Sequence, residues 1–299
     1  MYKSLIYFLL FLLVVGISLR TCSESSESDN EEYTENIEES VTSIETTKEP
    51  TILVENCDIV YDTTHKEDKS QSTTINNNLT ICYGDSNLHV IEYMGYEVVF
   101  NSLLKIPILV KYELTAEETD GMFSRKGLDF CEDLKANVNQ ANDYDYRGSG
   151  WSRGHMAPAG DFTWSSRALR ETFYYTNCCP QDLSLNTGQW KYLEEEVRDW
   201  AKRFGRITVV TGPIVGSNEH GVIGNNKIVV PDAFYKVVCN GEQAIAFVMY
   251  NRSRNESMEK CAMSVDCLEE LSGLDFFLEL DDEVENKIEA ACILNYWNL

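Results

Sequence analysis

Hydrophobic positions follow two different periods along the last two thirds of the chain. In residues 89–101, HVIEYMGYEVVFN, and 106–114, IPILVKYEL, β-branched and aromatic side chains alternate with polar ones, which predicts strands. Residues 206–215 (RITVVTGPIV), 227–238 (KIVVPDAFYKVV) and 244–251 (AIAFVMYN) read the same way, the first closing at a Gly-Pro break. A helical period takes over in residues 188–204, GQWKYLEEEVRDWAKRF, where Trp190, Leu193, Val197, Trp200 and Ala201 recur at steps of three and four. Shorter helices are predicted over 264–273, closed by Gly273, and over 281–292. Strands and helices do not alternate as βαβ units do, so the expected class is α+β with a largely antiparallel sheet.

The first part of the chain is patterned differently. An apolar run over residues 4–19 follows Lys3 and ends among small residues, Gly16 and Ser18, the layout of a secretory signal peptide cleaved after Ser18. Its length falls short of the roughly 20 residues that a spanning helix needs, so an uncleaved membrane anchor is the alternative. A mitochondrial transit peptide is not expected, because such peptides are poor in acids and ten acidic residues follow at once, in residues 22–50. The predicted division is a leader over 1–22, an acidic disordered segment and linker over 23–85, and a packed domain over 86–299. The product is expected to be secreted or lumenal.

Ten cysteines, with no CxxC pair and no zinc-like spacing, argue against a structural metal and predict disulfides of open connectivity in an oxidising compartment. Sequons at Asn78, Asn251 and Asn255 predict a glycoprotein. The net charge of −24 is unevenly placed: residues 125–206 carry twelve basic and twelve acidic side chains, so the centre of the domain is neutral. Nonspecific ion pairing with a polyanion is therefore expected to be weak, and any phosphate chemistry must rest on local groups and a metal.

Those local groups concentrate in residues 150–162, GWSRGHMAPAGDF, which hold one of the chain's four histidines. Arg153 and His155 stand two apart, so on an extended strand an anion clamp and a group titrating near neutrality share one face. Gly154 between them permits a turn or a close approach. His155 reads equally well as an ordinary polar residue near a core. Further on, residues 174–196 place Asn177 and Asn186 nine apart, the second just before the Trp190 helix, where asparagine is by default a cap.

Taken together, these segments closely resemble the sugar-nonspecific DNA/RNA endonuclease family of the ββα-metal fold. The family motif D-R-G-H stands here as Ser152-Arg153-Gly154-His155, and the block T-N-x-x-P-Q, L-N, W-x-x-L-E stands as TNCCPQDLSLNTGQWKYLE with its spacing intact. The resemblance runs from about His89 to the C-terminus, and it implies the ββα-metal nuclease fold with helices flanking the sheet. It also implies roles: His155 as general base, Asn186 as the single protein ligand of Mg²⁺, with Mn²⁺ as a possible substitute, and Glu194 as the carboxylate orienting a metal-bound water. Asn177 becomes a supporting polar group, and Arg153 and Arg125 cations facing the scissile phosphate. Arg198 is read either as a further phosphate contact or as a surface helix residue. DNA and RNA are the implied substrates.

That division of labour is physically coherent. Attack on a phosphodiester builds charge on oxygens that a cation and guanidinium groups stabilise without moving protons, while a neutral imidazole accepts the proton of water. Contacts to phosphate and sugar carry no base information, so little sequence preference is expected. Eight residues of continuous helix between Asn186 and Glu194 would span about 12 Å. Either Glu194 acts through water or the helix begins after Asn186. Ser152 in place of the family Asp, and the acidic balance, motivate a second reading: a nuclease-fold module that binds nucleic acid or protein without turnover.

Overall fold

The computed structural model describes residues 87–216, 218–277 and 280–299. The expected leader, acidic segment and linker, with Asn78, Cys22, Cys57 and Cys82, lie outside the described residues. Residues 89–101 do not form one strand. They split into β1 (Leu88–Glu92) and β2 (Tyr96–Asn101), an antiparallel hairpin turning at Gly95, whose φ of 101° suits glycine and strains other residues. β3 (Ile106–Thr115) follows, and the short helix α1 (Asp143–Tyr146) leads into β4 (Ser152–His155). Next come α2 (Ser166–Glu171), β5 (Cys178–Gln181), α3 (Leu183–Thr187) and the long α4 (Gln189–Phe204).

β6 (Arg206–Ile214) returns to the sheet, then β7 (Val222–Ile223) and β8 (Ile228–Val229) form a small ribbon. The predicted strand 227–238 is thereby broken: β9 (Ala233–Cys239) begins only after Pro231, which has no N–H to give a ladder. β10 (Ala244–Tyr250), α5 (Met258–Cys261), β11 (Ala262–Met263), α6 (Val265–Ser272), α7 (Asp282–Glu289) and α8 (Leu294–Trp297) complete the chain. Among the described residues the main sheet has seven strands in the order β1-β2-β3-β6-β9-β10-β11, every pairing antiparallel. The α+β expectation holds.

One face of this sheet receives α4. Strand periodicity turns Val110 and Tyr112, Val209 and Thr211, Phe234 and Val238, and Ile245 and Phe247 to the same side, and register aligns them across neighbouring strands. The five predicted apolar positions of α4, Trp190, Leu193, Val197, Trp200 and Ala201, are all buried. Trp200 stacks on Phe247 with centroids 6.0 Å apart, and its Nε1 donates to the carbonyl of Trp297 at 2.8 Å. The helix that carries the candidate chemistry is thus seated by its opposite stripe on the sheet.

Trp200→Ala removes that stack and leaves the Trp297 carbonyl without its donor. We expect a loss of about 3–5 kcal/mol of stability, read as a lower urea midpoint with an unchanged slope.

Candidate active site

β4 and β5 form an antiparallel ribbon of their own, with Arg153 opposite Pro180, Gly154 opposite Cys179 and His155 opposite Cys178. Gly154 is needed here for space and not for a turn: a Cβ at that position would come 2.2 Å from Oε1 of Gln181, which lies fully buried across it. After β5, the Asp182 carboxylate caps α3 by accepting from the amides of Ser184 and Leu185 at 2.8 and 3.0 Å. Asn186 is therefore not a cap but a residue inside α3, and the chain bends at Gly188 before α4 starts. Strand, strand and helix are in the ββα order, and α4 begins after Asn186, as one of the two alternatives required.

The amide of Asn186 is tied to β4. Its Nδ2 donates to Ser152 Oγ at 3.0 Å and to the Arg153 carbonyl at 3.3 Å, while Ser152 Oγ donates to the Gln181 carbonyl at 2.6 Å. Because an amide presents donors and acceptor on opposite sides, these bonds leave Oδ1 turned from the strand. Ser152 thus supplies the acceptor that a carboxylate at this position would offer. Asn186, Ser152 and Arg153 are in direct contact, and His155 is two residues farther along the same strand. A hard cation would find an oxygen donor here in Asn186 Oδ1, and a single neutral amide oxygen fits an ion that keeps most of its waters.

His155 is buried between the rings of Phe130 and Phe173, at centroid distances of 4.6 and 4.9 Å. Its Nε2 has no hydrogen-bond partner among the described residues. Burial, and secondarily the positive charge of Arg125, press its pKa down to about 3, so the imidazole is neutral. Arg125 itself is exposed, with its guanidinium 5.5 Å from the centroid of Phe173. Asn177 is fully buried, and its amide is spent on backbone: Oδ1 accepts from the Ala157 N–H at 2.8 Å, and Nδ2 donates to the Ala157 and Thr172 carbonyls at 2.9 Å. It staples the loop that leaves His155. Arg153 is held by Asp143 at 2.5 Å and Tyr175 Oη at 3.2 Å, and lies over the ring of Tyr146.

Two further groups, Asp161 and Lys236, were given no role by the sequence. Asp161, fully buried in the GDF that follows the histidine, accepts from Arg198 at 2.8 Å and from Tyr112 Oη at 2.8 Å. Arg198 is thus paired to a buried carboxylate, a contact that its two readings did not include, and its side chain stays partly exposed. Lys236 is fully buried on β9, its Nζ 4.8 Å from the centroid of Trp190, which stands one turn before Glu194 on α4. Burial pushes the Glu194 carboxyl up, while Lys236 and then Arg198 oppose that and Asp161 adds to it. The available signal was period two: Lys236 sits between Phe234 and Val238, on the inward face of its strand.

Two composition-based expectations are corrected, that of disulfides only in part, since Cys267 is disulfide-bonded. Cys131, Cys178, Cys179, Cys261 and Cys292 are free thiols; Cys178 and Cys179, fully buried side by side on β5, serve as small apolar residues, and burial pushes the Cys178 thiol up to about 12. Asn251 is no glycan acceptor: its Nδ2 donates to the Pro180 and Pro231 carbonyls at 3.0 and 2.8 Å and its Oδ1 accepts from the Asp182 N–H at 2.7 Å, pinning the junction of β5 and α3. Asn255 similarly spends its amide on both backbone groups of Tyr250.

The family model for DNA/RNA non-specific endonuclease matches residues 73–283. The chain is 35% identical to "Nuclease EXOG, mitochondrial" of Xenopus laevis over 64% of its own length and 58% of that protein's. It is 31% identical to human "Endonuclease G, mitochondrial" over 61% of its length and 67% of that protein's. The chain thus spans somewhat under three fifths of the length of the EXOG relatives. Among solved structures, EndoG in the EndoG/EndoGI complex, described for its mechanism of inhibition, matches at a TM-score of 0.60 and 29% identity, over 64% of this chain and 87% of that one. The mitochondrial relatives overturn the expected secreted or lumenal location. An apolar run behind a single lysine does not distinguish export from other membrane-directed targeting.

His155 is neutral in the fold and titrates near 6.5 when unfolded, so the unfolded chain binds a proton that the fold does not. Its contribution is intact above about pH 6.5 and is lost progressively as pH falls toward about 3. Urea unfolding at pH 7, 6, 5 and 4 should show wild type losing up to about 1.4 kcal/mol per pH unit more than His155→Gln.

Proposed function

The chain belongs to the DNA/RNA non-specific endonuclease family, and from that premise we propose that it hydrolyses phosphodiester bonds of both DNA and RNA with little sequence preference, using magnesium. The supporting observation is the attachment of Asn186 to the strand that carries His155, which joins a cation-holding carbonyl and a neutral imidazole in one ββα unit. The family is metal-dependent. Asn186 would hold the ion, with Glu194 acting through water, and the ion when bound supplies stabilisation of charge on the phosphate oxygens; manganese is the expected substitute.

His155, kept unprotonated by burial and by Arg125, takes the proton of the attacking water at Nε2. Arg125, exposed beside it, binds the phosphate; Arg153 is partly committed to Asp143 and acts on the anion less directly. Asn177 holds the histidine loop, and the buried charges of Asp161, Arg198 and Lys236 set the field felt by Glu194. The acceptor that Ser152 gives Asn186 supports turnover over a module that only binds. We place the protein in the mitochondrion on the names of its relatives. The division into a leader over 1–22, a linker over 23–85 and a nuclease domain over 86–299 belongs to the same proposal.

Plasmid nicking and RNA degradation in magnesium, in chelator and with His155→Ala test this reading. Expected are metal-dependent cleavage and a fall of about 10²–10⁴-fold on loss of the imidazole; binding without nicking would overturn it. Ser152→Ala should cost roughly 10–100-fold by freeing the Asn186 amide, whereas Ser152→Asp, which keeps an acceptor, should retain activity.

A further inference from the structure

Far from the β4–β5 ribbon in sequence, one oxygen from each of Asp266, Glu269 and Glu289 lies within 4.8 Å of the others. Asp266 and Glu269 are three apart and share a face of α6, and Glu289 is the last residue of α7. Asp266 is exposed and offers a path from solvent, while Glu269 is half-buried, with Oε1 already accepting from the Phe276 N–H at 2.8 Å. Glu289 is only 4% exposed, and its Oε1 has no hydrogen-bond partner among the described residues. A buried carboxylate oxygen without a donor is costly unless a proton or cation satisfies it.

Among the described residues, the charges that act most on this cluster are acidic. The charges acting most strongly on Glu289 are those of Glu269, Glu285, Asp266 and Asp275, all carboxylates, and with burial as the larger cause they push its carboxyl up to about 9. Glu269 is pushed up to about 7, again first by burial. Three convergent carboxylates, one of them deep, suit calcium, which accepts 6–8 oxygens in flexible geometry; magnesium keeps its waters and takes one or two carboxylates.

We propose that Asp266, Glu269 and Glu289 form a calcium site that clamps α6 to the end of α7, separate from the candidate nuclease centre. Calcium here cross-links two helix ends and stabilises the C-terminal part of the fold without entering the hydrolytic chemistry.

The full chain, stripped with chelator and carrying Asn186→Ala to remove the other candidate metal position, is titrated with calcium alone by calorimetry and thermal unfolding. Expected are one bound ion and a Tm rise of roughly 5 °C at saturation. Adding Asp266→Asn, an exposed change that leaves packing intact, or Glu289→Gln should abolish both. Glu289→Gln in the wild-type background should nick DNA in magnesium at the wild-type rate. No heat and no Tm rise at about 10 mM calcium, beyond the weak end of protein calcium sites, would overturn the proposal. So would a rise that survives both substitutions, or a larger rise with magnesium than with calcium.

Discussion

The candidate site depends on two hydrogen bonds from a single side-chain amide. Asn186 Nδ2 spans from α3 to Ser152 Oγ and the Arg153 carbonyl on β4, and that bridge fixes both the spacing of helix and strand and the direction of the opposite carbonyl. Everything nearby serves to keep the bridge in register. Asp182 caps α3, Asn251 ties the Asp182 N–H and the Pro180 carbonyl together, and Gly154 leaves room for Gln181 across the ribbon. A short helix of five residues is marginal alone, so these side-chain bonds, with the burial of Leu185, supply what its own propensity does not.

A second constraint comes from charge. The whole chain is strongly anionic, yet its middle segment is neutral and contains Arg125, Arg153 and Arg198. Beneath it, α4 and the sheet enclose Asp161, Arg198 and Lys236, with Tyr112 bonded to Asp161. Buried charges of this kind add little net stability, because desolvation offsets their attraction, but removing one partner strands the other. Their arrangement around Glu194 ties the electrostatics of the site to the sheet that also seats Trp190 and Trp200.

Where residue type alone guided the reading, context reversed it. Asn251 and Asn255 carry acceptor sequons, but their amides are consumed by the backbone of the same fold. Cys178 and Cys179 sit in the apolar interior of the ribbon, where a thiol packs well and ionises poorly. Arg198, read as a phosphate contact or a surface helix residue, is also the counterion of the buried Asp161, a partner that its helix position does not reveal.

Periodicity and spacing in the sequence determined the α4 stripe, the strands β3, β6 and β10, the α+β class and the set of candidate residues, because each rests on local repeats of two or 3.6 residues or on short motifs. The breaks at Gly95 and Pro231 were also written in local chemistry, though the longer runs concealed them. Only the tertiary structure decided that Ser152 stands in as an acceptor, that Asn186 is inside a helix with its amide nitrogen bound to the strand, and that His155 is held neutral between two phenyl rings. These outcomes depend on residues brought together from 18 to 34 positions apart, such as His155 with Phe173 and Ser152 with Asn186. No local period encodes such a pairing, since burial and hydrogen-bond partners are properties of the packed chain.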